Sequence, residues 1–358
     1  MTEINQLFFY LLRVALGNQT CLSQPPKESE WGELYTIAKK QGLLGVSFAG
    51  VKRLQQQRQQ PPEKTYLTWM GMSARIQQKW ERHEAFIGRL AYFYKKHGID
   101  MMLLKGYGIS LKYPEAKLRN PGDVDVYLFG DWKKADDAIS EELGVTVCND
   151  SEHHTKFTID DITVENHYDF VNTRIRRSSQ KLELVFKELA QDKTNVIDVR
   201  GQKVYLPSDK LNAIFLLRHC AGHFASEGIS MRNVLDWGLF VQSTKDLDWE
   251  WLWQLAKEYN MHRFLACLNM ICVEDLGLDG LKFNMRYVDQ QLKARVLKEI
   301  MNGTDLVPGA SAWERTKSWW KHRWKHEICY SDSMLSSFVY SVRANLTGVS
   351  IEKIVIKN

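Results

Sequence analysis

Two aspartates, Asp123 and Asp125, stand one residue apart in the stretch GDVDVYL, residues 122–128. Val124, Val126 and Leu128 alternate with them, the period-2 pattern of a strand with one buried face. On a strand, residues i and i+2 point the same way, roughly 6–7 Å apart. Two ionised carboxylates that close repel, so the surface they share calls for a cation or ample water. A hard cation such as Mg2+ takes oxygen ligands and commonly sits between carboxylates and phosphates. Spacing alone is weak. With 43 acidic residues in 358, about five such pairs arise by chance. Glu28/Glu30 and Asp246/Asp248 are examples, but they fall in polar or helix-start surroundings, whereas Asp123/Asp125 interleave with an apolar face.

Two neighbouring features add to the pair. LLKGYG, residues 103–108, gives a strand, a glycine and a short helix. Gly106 would let a phosphate approach the backbone, and the helix start offers free N–H groups. Lys105 either ends the strand at the surface or supplies charge to that phosphate. Arg119 is either a loop arginine or a bidentate phosphate clamp. Downstream, ITVENHYDF puts Glu165 between Val164 and Asn166 on a second strand. If the strands are neighbours, three carboxylates form a cradle for one or two ions, which stabilises the attacking and leaving oxygens of phosphoryl transfer. The plain alternative for all three acids is a solvated strand face. His167, at i+2 from Glu165, is either structural or orients that acid. Asp169 shares the same face and substitutes for Glu165 if the register shifts.

Other polar pairs read more plainly. His153 and His154 alternate on a strand, so at most one reaches the site, and without Cys/His zinc spacing neither is expected to bind a metal. His219 and His223 are i,i+4 on a helix but lack HExxH, so packing or cleft lining explains them. Arg232 and Asp236 are also i,i+4, the spacing of an intrahelical salt bridge. ERTKSWWKHRWKH, residues 314–326, mixes tryptophan with basic residues; an amphipathic helix packing its tryptophans competes there with nucleic-acid or membrane-surface binding.

The elements that must position these residues divide into three regions. Residues 1–98 carry helical periodicity, broken by LQQQRQQPP. Residues 99–207 alternate short apolar strands with glycines and one helix, DWKKADDAISEEL, for which Asp131 is the expected N-cap. HHTKFTI and ITVENHYDF read as two strands joined by a tight Asp-rich turn. From Ser208 to residue 358 helical periodicity returns. The fold class is α+β: a small mixed sheet flanked by helical N- and C-terminal regions. The +5 net charge is mild and does not by itself imply nucleic acid. Six scattered cysteines without CxxC fit reduced thiols and a cytoplasmic chain. Arg13 interrupts the apolar N-terminus, and no apolar run reaches about 18 residues, so no membrane span is expected.

The order of a glycine turn, a short helix, GDVDV and an isolated acid on a later strand resembles the DNA polymerase beta type nucleotidyltransferase superfamily. More closely, LLKGYGISLKYPEAKLRNPGDVDVYL, HHTKF, VENHYDF and HCAGHFASEGISMRNVLDWGLFV resemble the bacterial family of uncharacterised nucleotidyltransferases. The resemblance implies a nucleotidyltransferase-type sheet in which Asp123, Asp125 and Glu165 hold Mg2+ or Mn2+, Glu165 also helping to activate an acceptor hydroxyl. It implies that Gly106 holds the phosphates of an NTP, and it makes the segment containing Arg232 a lid over the nucleotide. Where the superfamily has Gly-Ser or Gly-Gly, this chain has Gly106-Tyr107, preceded by Lys105. The expected reaction moves a nucleoside monophosphate from an NTP to a hydroxyl acceptor, more plausibly a small molecule, glycan or protein than nucleic acid. The competing expectation is a catalytically inactive nucleotide- or partner-binding protein of the same fold.

Overall fold

The structure is a computed structural model describing residues 2–22, 25–149, 151–174, 176–303 and 322–332. Four helices come first: α1 (Glu3–Leu16), α2 (Glu28–Lys40), α3 (Leu44–Gln55) and α4 (Glu63–Lys96). The middle of the chain supplies β1 (Met102–Leu104), α5 (Gly106–Ser110), β2 (Val124–Tyr127), α6 (Trp132–Leu143), β3 (His154–Ile159), β4 (Ile162–His167), α7 (Arg177–Leu189), β5 (Val196–Val199) and β6 (Gln202–Tyr205). Helices α8 (Asp209–Ser226), α9 (Met231–Ser243), α10 (Trp249–Glu258), α11 (His262–Met270) and α12 (Gln290–Asn302) follow, then a helical segment over 322–329.

The six strands form one mixed sheet in the order β3-β4-β2-β1-β6-β5. The β2/β4 and β1/β6 pairs are parallel and the others antiparallel. The expected α+β class is therefore what the chain adopts. The Asp-rich turn is a two-residue hairpin: Asp160 and Asp161 both take positive φ, 52° and 62°. That is the type I′ geometry whose twist matches the flanking strands. The β5–β6 hairpin turns the same way at Arg200 and Gly201. Sequence periodicity had not pointed to β5 or α7. Ser208 caps α8 as expected, its hydroxyl accepting from the Leu211 N–H. Asp131 stands at the α6 N-cap position without a capping hydrogen bond.

The alternation in GDVDVYL decides which side of the sheet is which. Val124, Val126, Leu128, Val164 and Phe157 bury one face against α6 and the end of α4 through Ile139, Leu90 and Tyr94. The other face carries Met102, Leu104, Tyr127 and Tyr205 into a second core. That second core contains residues of α1 to α3 together with residues of α8 to α12. The helical regions before and after the sheet thus share one continuous apolar interior. Helix α4, 34 residues and roughly 50 Å long, feeds both: Trp69 and Ile76 belong to the second core, Phe86 and Leu90 to the first.

The short 3-10 turn Ala116–Leu118, which leads to the strand with the aspartates, packs directly on α3. A methyl placed on Gly45 would meet the Leu118 carbonyl oxygen at 2.4 Å. Alanine gains about 0.5–1 kcal/mol of helix propensity over glycine. A backbone clash in a packed interior costs more, so Gly45→Ala should destabilise the chain by about 1–2 kcal/mol net. A lower urea midpoint at unchanged slope is the expected result.

Candidate active site

Strands β2 and β4 run parallel with Asp125 directly opposite Glu165 and Tyr127 opposite His167. Register therefore sends Asp125, Glu165 and His167 from the same face of the sheet. Asp123 sits just before β2, exposed at the same mouth. All four line a cleft of about 920 Å3, together with Lys105, Gly106 and residues of α8 and α9. The sequence-predicted acids are thus brought together.

Asp125 is only 3% exposed at its side chain and is met by two positive groups: Lys105 Nζ at 3.0 Å and His167 Nε2 at 3.2 Å from the same Oδ1. Burial alone would raise its pKa, but Lys105 and His167 outweigh that and hold it below the usual carboxylate range. Burial would likewise deprotonate His167, yet its contacts with Asp125 and Glu165 raise its pKa. His167 Nδ1 lies 3.3 Å from the Asp169 carbonyl, so Asp169 supports His167 through its backbone. The Asp169 carboxylate turns away to Lys187 at 3.1 Å. Asp123 has its pKa raised by partial desolvation and by the Glu165 and Asp125 carboxylates.

Lys105 holds a backbone conformation rare for a side-chain-bearing residue, φ 41° and ψ −135°, a strain of about 1–3 kcal/mol. It brings the end of β1 sharply into α5, and Gly106 follows with φ 42°. Tyr107, where a serine was expected, points out of the cleft: its hydroxyl donates to Glu84 and its ring stacks on Trp80 at 5.1 Å.

Arg119 reaches the cleft wall with its guanidinium already engaged. Nε and Nη2 donate to the two Asp236 oxygens, each at 2.7 Å, and Tyr113 adds its hydroxyl at 2.6 Å. The intrahelical Arg232–Asp236 bridge expected from i,i+4 spacing does not form, because Asp236 faces the loop before β2 rather than its own helix surface. Arg232 instead lines the cleft, with a 3.4 Å hydrogen bond to the Asn120 carbonyl and a buried Nε that has no hydrogen-bond partner among the described residues. It was missed because the same spacing that marks a surface pair also occurs where each member turns inward.

Both His153 and His154 line the cleft. The expectation that one must face away assumed both lie on the strand, whereas β3 begins at His154. Burial lowers both pKa values, that of His153 to about 3 with help from His167 and His154. Arg176 and Arg218 also line the cleft, over the Tyr330 ring at 3.4 and 4.3 Å from its centroid. They lie outside every stretch that periodicity singled out as chemical. His219 and His223 pack ring to ring at 4.2 Å on the cleft wall, as expected. Of the basic tryptophan stretch, residues 314–321 lie outside the described residues; Trp324 packs edge-on against Phe224.

A family model described as uncharacterised nucleotidyltransferase matches residues 27–277. The chain belongs to that family. The match takes in the acids, the glycine turn, and helices α8 and α9 that wall the cleft, so nucleotidyl transfer chemistry is supported in general terms. No curated protein and no solved structure matches the chain.

Removing one partner of a buried ion pair leaves an uncompensated charge, so Asp236→Ala should cost about 3–5 kcal/mol of stability, read by denaturant unfolding. The Asp125–His167 contact also has a sign in pH. His167's raised pKa stabilises the fold below its ordinary value and loses that contribution as pH rises through the raised one, while Asp125's lowered pKa contributes above its ordinary value and is lost as pH falls. Asp125→Asn should therefore lower the His167 pKa, visible as an acid-shifted imidazole titration by NMR.

Proposed function

We propose that this nucleotidyltransferase-family chain moves a nucleoside monophosphate from an NTP to an acceptor hydroxyl, releasing pyrophosphate. The observation that carries the reading is the in-register pair of Asp125 and Glu165 on adjacent parallel strands, with Asp123 at the strand mouth and a cleft of nucleotide size in front of them. One ligand atom each from Asp125, Glu165 and His167 lie within 4.8 Å of one another. That donor set fits a divalent cation, and oxygen-rich sites suit Mg2+ or Mn2+. Asp123, Asp125 and Glu165 would hold the ion, which when bound polarises the transferring phosphate and lowers the acceptor's pKa.

The chain's own residues supply the rest. Gly106 presents backbone to phosphates at the start of α5, and Lys105 brings an ammonium to the same place. Arg232 adds a second cation beside Asp123's end of the cleft. Arg119 acts through Asp236, fixing α9 against the loop that carries Asp123. Glu165 accepts the acceptor's proton, and His167 orients it. The middle region, 99–207, carries the chemistry, and helices α8 and α9 wall the cleft. All six cysteines are free, and no helix among the described residues is long and apolar enough to cross a membrane. With an NTP donor, these fit a cytoplasmic enzyme acting on a small molecule, glycan or protein.

The rival reading is a non-catalytic nucleotide-binding protein, and it draws on Lys105, whose ammonium takes the Asp125 oxygen that a cation would use. Pyrophosphate release from each NTP, with Mg2+ or Mn2+ and a panel of acceptors, separates the two. Asp125→Asn should reduce the rate at least about 100-fold. An unchanged rate refutes the transfer mechanism. Nucleotide binding by calorimetry without release favours the rival.

A further inference from the structure

We propose that His153, His154 and His167 form a binding site for a divalent transition-metal ion of the zinc type, adjoining the carboxylates but different in donor chemistry. Their ring centroids lie 4.5, 5.1 and 5.6 Å apart. One ligand atom from each lies within 4.8 Å of the other two. The other ring nitrogen of each is already engaged by oxygen. The Ser151 hydroxyl stands 3.2 Å from Nδ1 of both His153 and His154. The Asp169 carbonyl stands 3.3 Å from Nδ1 of His167. Imidazoles that bind metals characteristically have the second ring nitrogen held by an oxygen, which fixes tautomer and ring orientation.

Nε2 of His154 and Nε2 of His167 lie 3.5 and 3.7 Å from the two Glu165 oxygens, so a fourth donor is at hand; Nε2 of His167 also meets Asp125 Oδ1 at 3.2 Å, a contact that a bound ion would replace. Three imidazoles and a carboxylate oxygen match the ligand count and type of a zinc site. They do not match Mg2+, which prefers oxygen throughout.

Sequence spacing hides the set. His153 and His154 are adjacent, and His167 arrives from the partner strand through the hairpin, where it pairs with His154. The adjacent pair converges because His153 precedes β3 and escapes its alternation.

The site shares Glu165 and His167 with the proposed transfer site, but its test uses no nucleotide, so the two readings fail separately. The untagged, metal-stripped chain is titrated with Zn2+ against a chromophoric chelator and, separately, with Co2+, with no nucleotide present. The expected result is uptake of one Zn2+ per chain, visible Co2+ absorption of a low-coordinate nitrogen–oxygen site, and no displacement by excess Mg2+. His153→Ala with His154→Ala should weaken Zn2+ binding at least about 100-fold, and Ser151→Ala roughly 10-fold. Circular dichroism checks that each variant folds; if the double variant does not, His154→Gln decides the matter by the same titration. Absence of stoichiometric Zn2+ uptake, or uptake unchanged in folded histidine variants, overturns the proposal whether or not the chain releases pyrophosphate.

Discussion

A carboxylate taken almost wholly out of water must be met by positive charge or give up its own, and Asp125 is such a carboxylate. Its position on a central strand with one apolar face forces the burial: Val124 and Val126 must point into the core under α4 and α6, so Asp125 must point into the other layer. There Lys105 and His167 meet it. Lys105 reaches it through an unusual backbone turn, and that turn also starts α5. His167 reaches it because β2 and β4 are parallel and in register. The glycine turn, the strand order and the histidine are thus three answers to one electrostatic demand.

A second buried charge governs the walls. Arg119 and Asp236 lie 117 residues apart in sequence and bind through two parallel hydrogen bonds. Tyr113 completes the cluster from the loop between α5 and the 3-10 turn. This contact turns the Nε and Nη2 edge of Arg119 to Asp236, while Arg232 lines the same side of the cleft. Arg119, which reads as a phosphate ligand, is held by Asp236, and Arg232, which reads as a surface ion-pair partner, lines the cleft.

Much of this was legible in the sequence. Alternation around Asp123 and Asp125 marks a half-buried strand wherever the strand sits, so the acids' shared face could be read directly. The Asp160–Asp161 turn carries its own conformational signal, and it fixed the β3–β4 hairpin. What could not be read depends on long-range placement. Asp236 has equal claims from Arg232 and Arg119 until the α9 axis is oriented. His153 and His154 obey or escape strand alternation according to a boundary that differs by one residue. Strand β5 is short and half-exposed, with an Asp in its middle, and is held by pairing with β6 and by Val199 in the core under α4.

The split of the interior into two layers has a consequence for how the chain comes into being. Synthesis runs from the N-terminus, so the strands that carry Asp125 and Glu165 are made before α8 and α9. Until those helices dock, the face of the sheet that carries Met102, Leu104 and Tyr127 lacks part of its cover. The nascent intermediate would hold a finished floor under an open roof, exposing surface that chaperones recognise. The cleft is complete only when α8 and α9 close over the strands that carry Asp125 and Glu165.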